Sequence, residues 1–198
     1  SLNREKTSRH ASFRFEVTSF DRVLALHSPF NHQADTDGGE MEKEIKHLSS
    51  VMENPIEPLV VILGGAKIKD KLKALKNLKS KAKIFLIGGA LTDQLMKLLK
   101  NDKKISLPVD FVKENSRILD IGPKTIENFC REIKNAKTII WNGPLGNIDD
   151  VRFRKGTIEI AKCLPKNSFS VVGGGETVMF LKKMKLDKKI SFVSTGGG

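Results

Sequence analysis

Apolar and polar positions divide the chain into two unlike parts. Over residues 1–40, Phe13, Phe15, Val17 and Phe20 alternate only partly with charges, and no clear period emerges. Residues 31–39 are polar and end in Gly38-Gly39, so they read as a loop or linker. From Met41 the pattern sharpens. Glu42, Ile45, Leu48, Val51 and Met52 recur at helical spacing, and the helix they predict stops before Pro55. Leu59-Val60-Val61-Ile62-Leu63 is an unbroken apolar run, as in a strand covered on both faces. Ile68, Leu72, Leu75 and Leu78 then predict an amphipathic helix with lysines on its remaining faces.

The same alternation continues to the end of the chain. Residues 83–87 predict a strand closed by Gly88-Gly89, and residues 91–100 a helix. Residues 105–111 read as a strand interrupted at Pro108. Asp120-Ile121-Gly122-Pro123-Lys124-Thr125 reads as the start of a helix running to about Asn135. Residues 138–141 predict a strand, Asn142-Gly143-Pro144 a turn, and residues 153–164 a helix. Strands at residues 168–172 and 190–193 complete the set. Buried strands alternating with helices place the chain in the α/β class. The expected architecture is a doubly wound, mostly parallel sheet with helices on both faces, a Rossmann-like three-layer sandwich.

Glycine clusters punctuate this order and bring in chemistry. Gly64-Gly65-Ala66-Lys67, Gly88-Gly89, Gly173-Gly174-Gly175-Glu176-Thr177 and Gly196-Gly197-Gly198 each follow an apolar run. A strand that ends in glycine exposes backbone N–H groups with no Cβ in the way, so phosphate oxygens can approach closely. In a parallel sheet such turns share one edge, where ligands of doubly wound folds bind. Lys67, Lys71, Asn142 and Thr177 collect at that edge, and a nucleotide is the ligand it suggests. Neither G-x-x-x-x-G-K-[ST] nor G-x-G-x-x-G occurs, which argues against a P-loop ATPase and a dinucleotide dehydrogenase.

Composition adds bounds. The apolar fraction of 39% and charged fraction of 29% are those of an ordinary globular protein. No run approaches the ~20 apolar residues of a membrane span, and Ser1 to Lys6 hold no apolar signal core. Cys130 and Cys163 stand apart with no CxxC, and read as reduced core thiols of a cytoplasmic protein. Metal sites of cysteine and histidine are thereby excluded. A net charge of +12, with eight lysines between Lys67 and Lys83, raises a nucleic-acid partner as a possibility. Yet no aromatic residue interleaves with the basic runs as a stacking platform would. A solvated lysine surface is the plainer account.

Seven motifs in order carry more than a hint of phosphate: Leu63-Gly64-Gly65-Ala66-Lys67-Ile68-Lys69-Asp70-Lys71, Leu86-Ile87-Gly88-Gly89-Ala90, Leu107-Pro108-Val109-Asp110, Asp120-Ile121-Gly122-Pro123-Lys124-Thr125, Trp141-Asn142-Gly143-Pro144-Leu145-Gly146, Val172-Gly173-Gly174-Gly175-Glu176-Thr177 and Ser194-Thr195-Gly196-Gly197-Gly198. With them, residues 41–198 resemble the C-terminal, nucleotide-binding half of phosphoglycerate kinase. Residues 1–40 form a poorly matched N-terminal segment or linker.

The resemblance implies reversible phosphoryl transfer between 1,3-bisphosphoglycerate and ADP, with ADP or ATP and Mg2+ bound. Under it, Lys67 stabilises the migrating phosphoryl group and Lys71 holds the nucleotide phosphates beside the Gly64, Gly65 and Ala66 turn. Gly88 and Gly89 leave room for the adenine. Asn142, Pro144 and Gly146 line the base and ribose pocket, with Asp149 where the family has a ribose-binding glutamate. Gly174, Gly175 and Thr177 cap the phosphates, and Glu176 stands where the family has a magnesium-binding aspartate. Gly196, Gly197 and Gly198 offer N–H groups to the phosphoryl group in flight.

The sequence also departs from the family. Glu176 is one methylene longer than that aspartate and Asp149 one shorter than that glutamate, while Asn147 and Ile148 replace an apolar pair. Between Leu91 and Gly122 the chain is shorter than the family pattern, as if one helix were trimmed. The half that holds phosphoglycerate is not matched, so that substrate is expected only if an N-terminal half is present. If Gly198 is the natural end, a free carboxylate sits beside the last glycines. The expectation is a monomer that binds nucleotide with little or no turnover alone. The alternatives are a non-catalytic nucleotide-binding module and a basic nucleic-acid-interacting protein.

Overall fold

The computed structural model describes residue 51, residues 53–99 and residues 101–194. The helix expected from Met41 lies outside them save for Val51 and Glu53, as do residues 1–40 and the catalytic candidates Gly196, Gly197 and Gly198.

Leu59–Leu63 forms β1, a strand with all five residues buried, as its unbroken apolar run requires. It leads into α1, Ile68–Leu78, then β2, Ile84–Ile87, and α2, Leu91–Leu99. A two-residue strand β3, Ile105–Ser106, follows. Next come β4, Phe111–Glu114, β5, Arg117–Ile121, and α3, Pro123–Ile133. The remainder alternates: β6, Thr138–Asn142; α4, Lys155–Cys163; β7, Phe169–Gly173; α5, Gly175–Lys183; and β8, Phe192–Ser194. Six strands make one sheet in the order β3-β2-β1-β6-β7-β8, and every pair in it is parallel. The expected α/β, doubly wound class is what the chain adopts.

Alternate residues of each strand feed two separate cores. Leu59, Val61 and Leu63 pack with Leu75, Leu78, Phe85 and Leu95, so α1 and α2 cover one face. Val60, Ile62 and Trp141 pack with Phe129, Ile133, Ile160 and Leu181, so α3, α4 and α5 cover the other. The chain runs from β1 outward to β3, returns to place β6 beside β1, and continues to β8. The carboxyl ends of β1 and β6 therefore flank the point where the strand order reverses, which is where doubly wound sheets leave a crevice.

Three expectations are corrected. Residues 105–111 do not form one strand; only Ile105–Ser106 joins the sheet, and β4 instead pairs antiparallel with β5 as a separate hairpin. Its turn, Asn115-Ser116, takes φ of 47° and 63° without a glycine. Asp120 and Ile121 belong to β5 rather than to a helix start, and the helix begins at Pro123, where a missing N–H costs nothing. Its cap comes from outside the helix: the Asp110 carboxylate accepts the N–H groups of Lys124 at 3.0 Å and Thr125 at 2.7 Å.

The third correction concerns the cysteines. Cys130 on α3 and Cys163 at the end of α4 form a disulfide, with Cα atoms 5.5 Å apart. They are not the separate reduced thiols expected from their isolation, because sequence distance says nothing of how two packed helices align their ends. Lysines on the surface pair with acids, as in Lys79–Asp102, Lys83–Glu132 and Lys162–Glu159, which fits a solvated basic surface. No helix among the described residues is long and apolar enough to cross a membrane.

The disulfide closes a loop spanning 33 positions, so in the chain-entropy account it contributes about 2–4 kcal/mol. Urea unfolding of the oxidised protein and of Cys130→Ser should differ by that amount, and a reductant should bring the parent down to the variant.

Candidate functional site

Three turns at the carboxyl edge of the sheet are tied together through their backbones. The Gly64 N–H donates to the Asn142 carbonyl at 2.9 Å, and the Gly65 N–H to the Pro144 carbonyl at 2.7 Å. The Gly88 N–H donates to the Leu63 carbonyl and the Gly89 N–H to the Leu145 carbonyl, both at 2.9 Å. Contact this close leaves no space for side chains. A Cβ on Gly64 would collide with the Pro144 carbonyl, and one on Gly143, whose φ is +90°, with the Gly64 carbonyl. Gly88 and Gly89 are buried, and the space beside Gly88 is taken by the Leu145 side chain. Their small size therefore serves the packing of one turn on the next.

Lys71 distinguishes itself from its lysine-rich helix. Lys67, Lys69 and Lys73 are exposed, whereas Lys71 is 6% exposed and its ammonium donates to the Asn142 side-chain oxygen. A buried lysine on a helix of solvated ones marks a position chosen for a partner rather than for solubility. Lys67 is the N-cap of α1, four residues before Lys71, at the start of the same helix.

The amino end of α5 completes this corner. Gly174 is its N-cap with φ +90°, and no side chain caps the helix. A Cβ built on Gly174 would meet Asn142 Oδ1 at 3.5 Å, Thr177 Oγ1 at 3.6 Å and the Gly143 N at 3.7 Å. Thr177 is fully buried, and its hydroxyl has no hydrogen-bond partner among the described residues. A partnerless hydroxyl at a helix amino end, near an asparagine that a buried ammonium engages, is chemistry suited to anionic oxygen. Gly175 is half-buried and Glu176 is exposed in the first turn of α5.

The turn after β6 is fixed from the opposite side by residues that sequence reading did not assign to the site. The Leu145 N–H donates to Thr157 Oγ1 at 3.0 Å, and the Asn147 N–H to the Leu119 carbonyl at 2.7 Å. Asp120 is fully buried beneath the turn, and a Cβ on Gly146 would collide with its carboxylate. Asp120 accepts the N–H groups of Ile121 at 2.9 Å and of Gly156, in α4, at 2.8 Å. Burial pushes its pKa up to about 6, against the pull of the N–H groups of Gly156, Ile121 and Lys155. The one available signal was a carboxylate inside the otherwise apolar run Ile118-Leu119-Asp120-Ile121. Pro144 and Gly146 are buried in the turn, while Asp149 beyond it and Ala66 at the first turn are exposed.

A concavity at the other edge of the sheet lacks this chemistry. It measures about 440 Å³ and opens at the amino end of β1, lined by Glu57, Ser80, Lys81, Lys83 and Lys104. Its lysines are engaged: Lys81 with the Glu53 carbonyl, Lys83 with Glu132 and Lys104 with the Lys79 carbonyl. No cluster of three or more metal-ligating side chains occurs among the described residues.

Comparison with known proteins gives a consistent result. The family model described as phosphoglycerate kinase matches residues 27–106 and 98–198. The chain is 36% identical over 200 residues to phosphoglycerate kinase of Lactobacillus johnsonii and 38% identical over 205 residues to that of Mycoplasma genitalium. Each match covers 80% of this chain and 50% of the relative, so the chain spans about half the length of the curated relatives it matches. Among solved structures, phosphoglycerate kinase from Coxiella burnetii superposes with a TM-score of 0.71 at 29% identity, covering 80% of this chain and 53% of that one. The enzyme from Pyrococcus horikoshii gives 0.68 at 28% identity, covering 79% and 51%.

Two outcomes follow from the geometry. Gly64→Ala forces apart the turns after β1 and β6 and should destabilise by about 1–3 kcal/mol in urea unfolding. Asp120 has a folded pKa above its unfolded value near 3.8, so the stability it contributes is full below about 4 and lost as pH rises through 6. Relative to Asp120→Asn, the parent should therefore gain about 1 kcal/mol between pH 7 and pH 5.

Proposed function

The chain belongs to the phosphoglycerate kinase family, and from that membership we propose that its glycine turns bind ADP or ATP for phosphoryl transfer. The observation that carries this reading is the buried, partnerless hydroxyl of Thr177 beside Gly174, at the uncapped amino end of α5. It offers a donor to an oxyanion that the protein itself does not supply. The reaction is exchange of a phosphoryl group between the nucleotide and the acyl phosphate of 1,3-bisphosphoglycerate. The share of it carried by these residues is the nucleotide side.

Phosphoryl transfer needs positioning and charge stabilisation more than covalent help. Lys71 holds the nucleotide phosphates, with its stem fixed by burial against the sheet. The N–H groups of the first turn of α5 and the Thr177 hydroxyl receive the phosphate oxygens, where the helix dipole favours negative charge. Lys67, exposed at the start of α1, reaches the group in transit and stabilises its charge. Asn142, Pro144 and Gly146 define the base and ribose side, with Gly88 and Gly89 behind them and Asp149 at its rim. Gly196, Gly197 and Gly198, outside the described residues, would by family resemblance supply N–H groups to the transferred phosphoryl group.

Magnesium fits this site as a nucleotide-borne ion. Glu176 is one exposed carboxylate beside the phosphate cradle, and magnesium binds by one or two carboxylates together with substrate phosphates. When bound, it neutralises charge on the phosphate oxygens. As in a glycolytic kinase, the proposed location is the cytoplasm.

Calorimetry with ADP tests the reading: saturable one-site heat is expected, weakened about tenfold or more by Lys71→Ala. Lys67→Ala should keep ADP affinity within a few-fold and, in an assay supplied with a phosphoglycerate-binding half, lower phosphoryl transfer from 1,3-bisphosphoglycerate about 100-fold or more. No heat at millimolar ADP would reject nucleotide binding.

A further inference from the structure

Asp120 lies outside the proposed nucleotide contacts, yet it joins the elements that shape them. Its carboxylate fills the space opened by two glycines, Gly146 at the end of the β6 turn and Gly156 in the first turn of α4. The Gly156 N–H donates to one of its oxygens and the Ile121 N–H to the other. The adjacent Thr157 accepts the Leu145 N–H, so the amino end of α4 and the β6 turn are seated on one another. That turn in turn presents the Pro144 and Leu145 carbonyls to Gly65 and Gly89. A short chain of hydrogen bonds thus leads from Asp120 to the turns after β1 and β2.

We propose that ionised Asp120 is a positioning residue that holds the β6 turn in its nucleotide-binding shape, making nucleotide affinity dependent on its proton. This rests on the nucleotide reading above. An ionised carboxylate accepts from every N–H aimed at it, as at a helix amino end. Once protonated, one oxygen becomes a donor facing N–H donors, and its hold on α4 slackens. Gly146 from the β6 turn and Gly156 from α4 lie against the carboxylate, and neither is ionisable. Lys155 contributes its backbone N–H, and no charged side chain enters the shift. Burial therefore sets the proton affinity, with a midpoint of about 6, inside the range that a cell or an assay can cross.

Binding and proton release are reciprocally linked, so saturating ADP must lower the midpoint of Asp120 if its ionised form is the one that binds. The decisive measurement is carbon-13 NMR of the full chain labelled at aspartate carboxyl groups, titrated between pH 4.5 and 8 with and without ADP, Asp120→Asn serving to assign the signal. A buried carboxyl titrating near 6 that moves down with ADP is the expected result; an unmoved midpoint overturns the proposal. Calorimetry gives a second readout that also removes the titration of the nucleotide, whose terminal phosphate loses its last proton at pH ~6. Parent affinity should fall by several-fold more than that of Asp120→Asn between pH 7.5 and 5, and the variant should bind about tenfold more weakly at pH 7.5. Parallel pH profiles would overturn the linkage and leave nucleotide binding intact. Absence of heat at every pH would instead reject the nucleotide reading itself.

Discussion

The close approach of three backbone turns is the constraint on which the site depends. Parallel strands β2, β1 and β6 end at the same edge, and hydrogen bonds among residues 64–65, 88–89 and 142–145 continue their pairing past the last strand residues. Extending a ladder into irregular loops requires carbonyls and N–H groups to meet where side chains normally intervene. Glycine meets that requirement by absence at Gly64 and by its left-handed backbone at Gly143. The result is a rigid floor, and α1 and α5 bring Lys71 and Thr177 to its margin.

Much of this was legible in the sequence because it rests on patterns with short range. The strand at Leu59–Leu63 announces itself by five consecutive apolar residues, and α1 by apolar residues three and four apart. The glycines after β1 and β2 do meet the turn after β6 at one edge. Their individual purposes were less readable: the side chain beside Gly88 is Leu145, 57 positions downstream, and nothing local predicts that contact. The same limit explains the β4–β5 hairpin, whose Asn115-Ser116 turn lacks the glycine that usually announces such a turn. It also explains the disulfide and the remote Asp110 cap on α3, both products of helices and loops meeting in three dimensions.

Asp120 shows how a fold can favour geometry over its own stability. A carboxylate shifted from 3.8 to about 6 costs roughly 3 kcal/mol when ionised in the folded chain at neutral pH. An apolar residue in β5 would avoid that cost, but it could not receive the N–H groups at the start of α4. The turn after β6 would then lose its underside support. Stability lost in this way is a common companion of binding geometry, since polar groups that fix a loop seldom suit a core.

The bond between Lys71 and Asn142 gives the corner a selectivity that shape alone would not. With its ammonium already engaged by an internal carbonyl oxygen, Lys71 would bind the proposed phosphate by exchange, not by filling a void. The guest must outcompete a neutral acceptor held at high effective concentration. A single carboxylate gains little from that trade, whereas a phosphate chain supplies several charged oxygens that reach Lys71 and Thr177 together. Asn142, once displaced, has an amide ready for the rest of the guest. On the proposed nucleotide reading, the corner would therefore favour polyvalent anions over small monoanions.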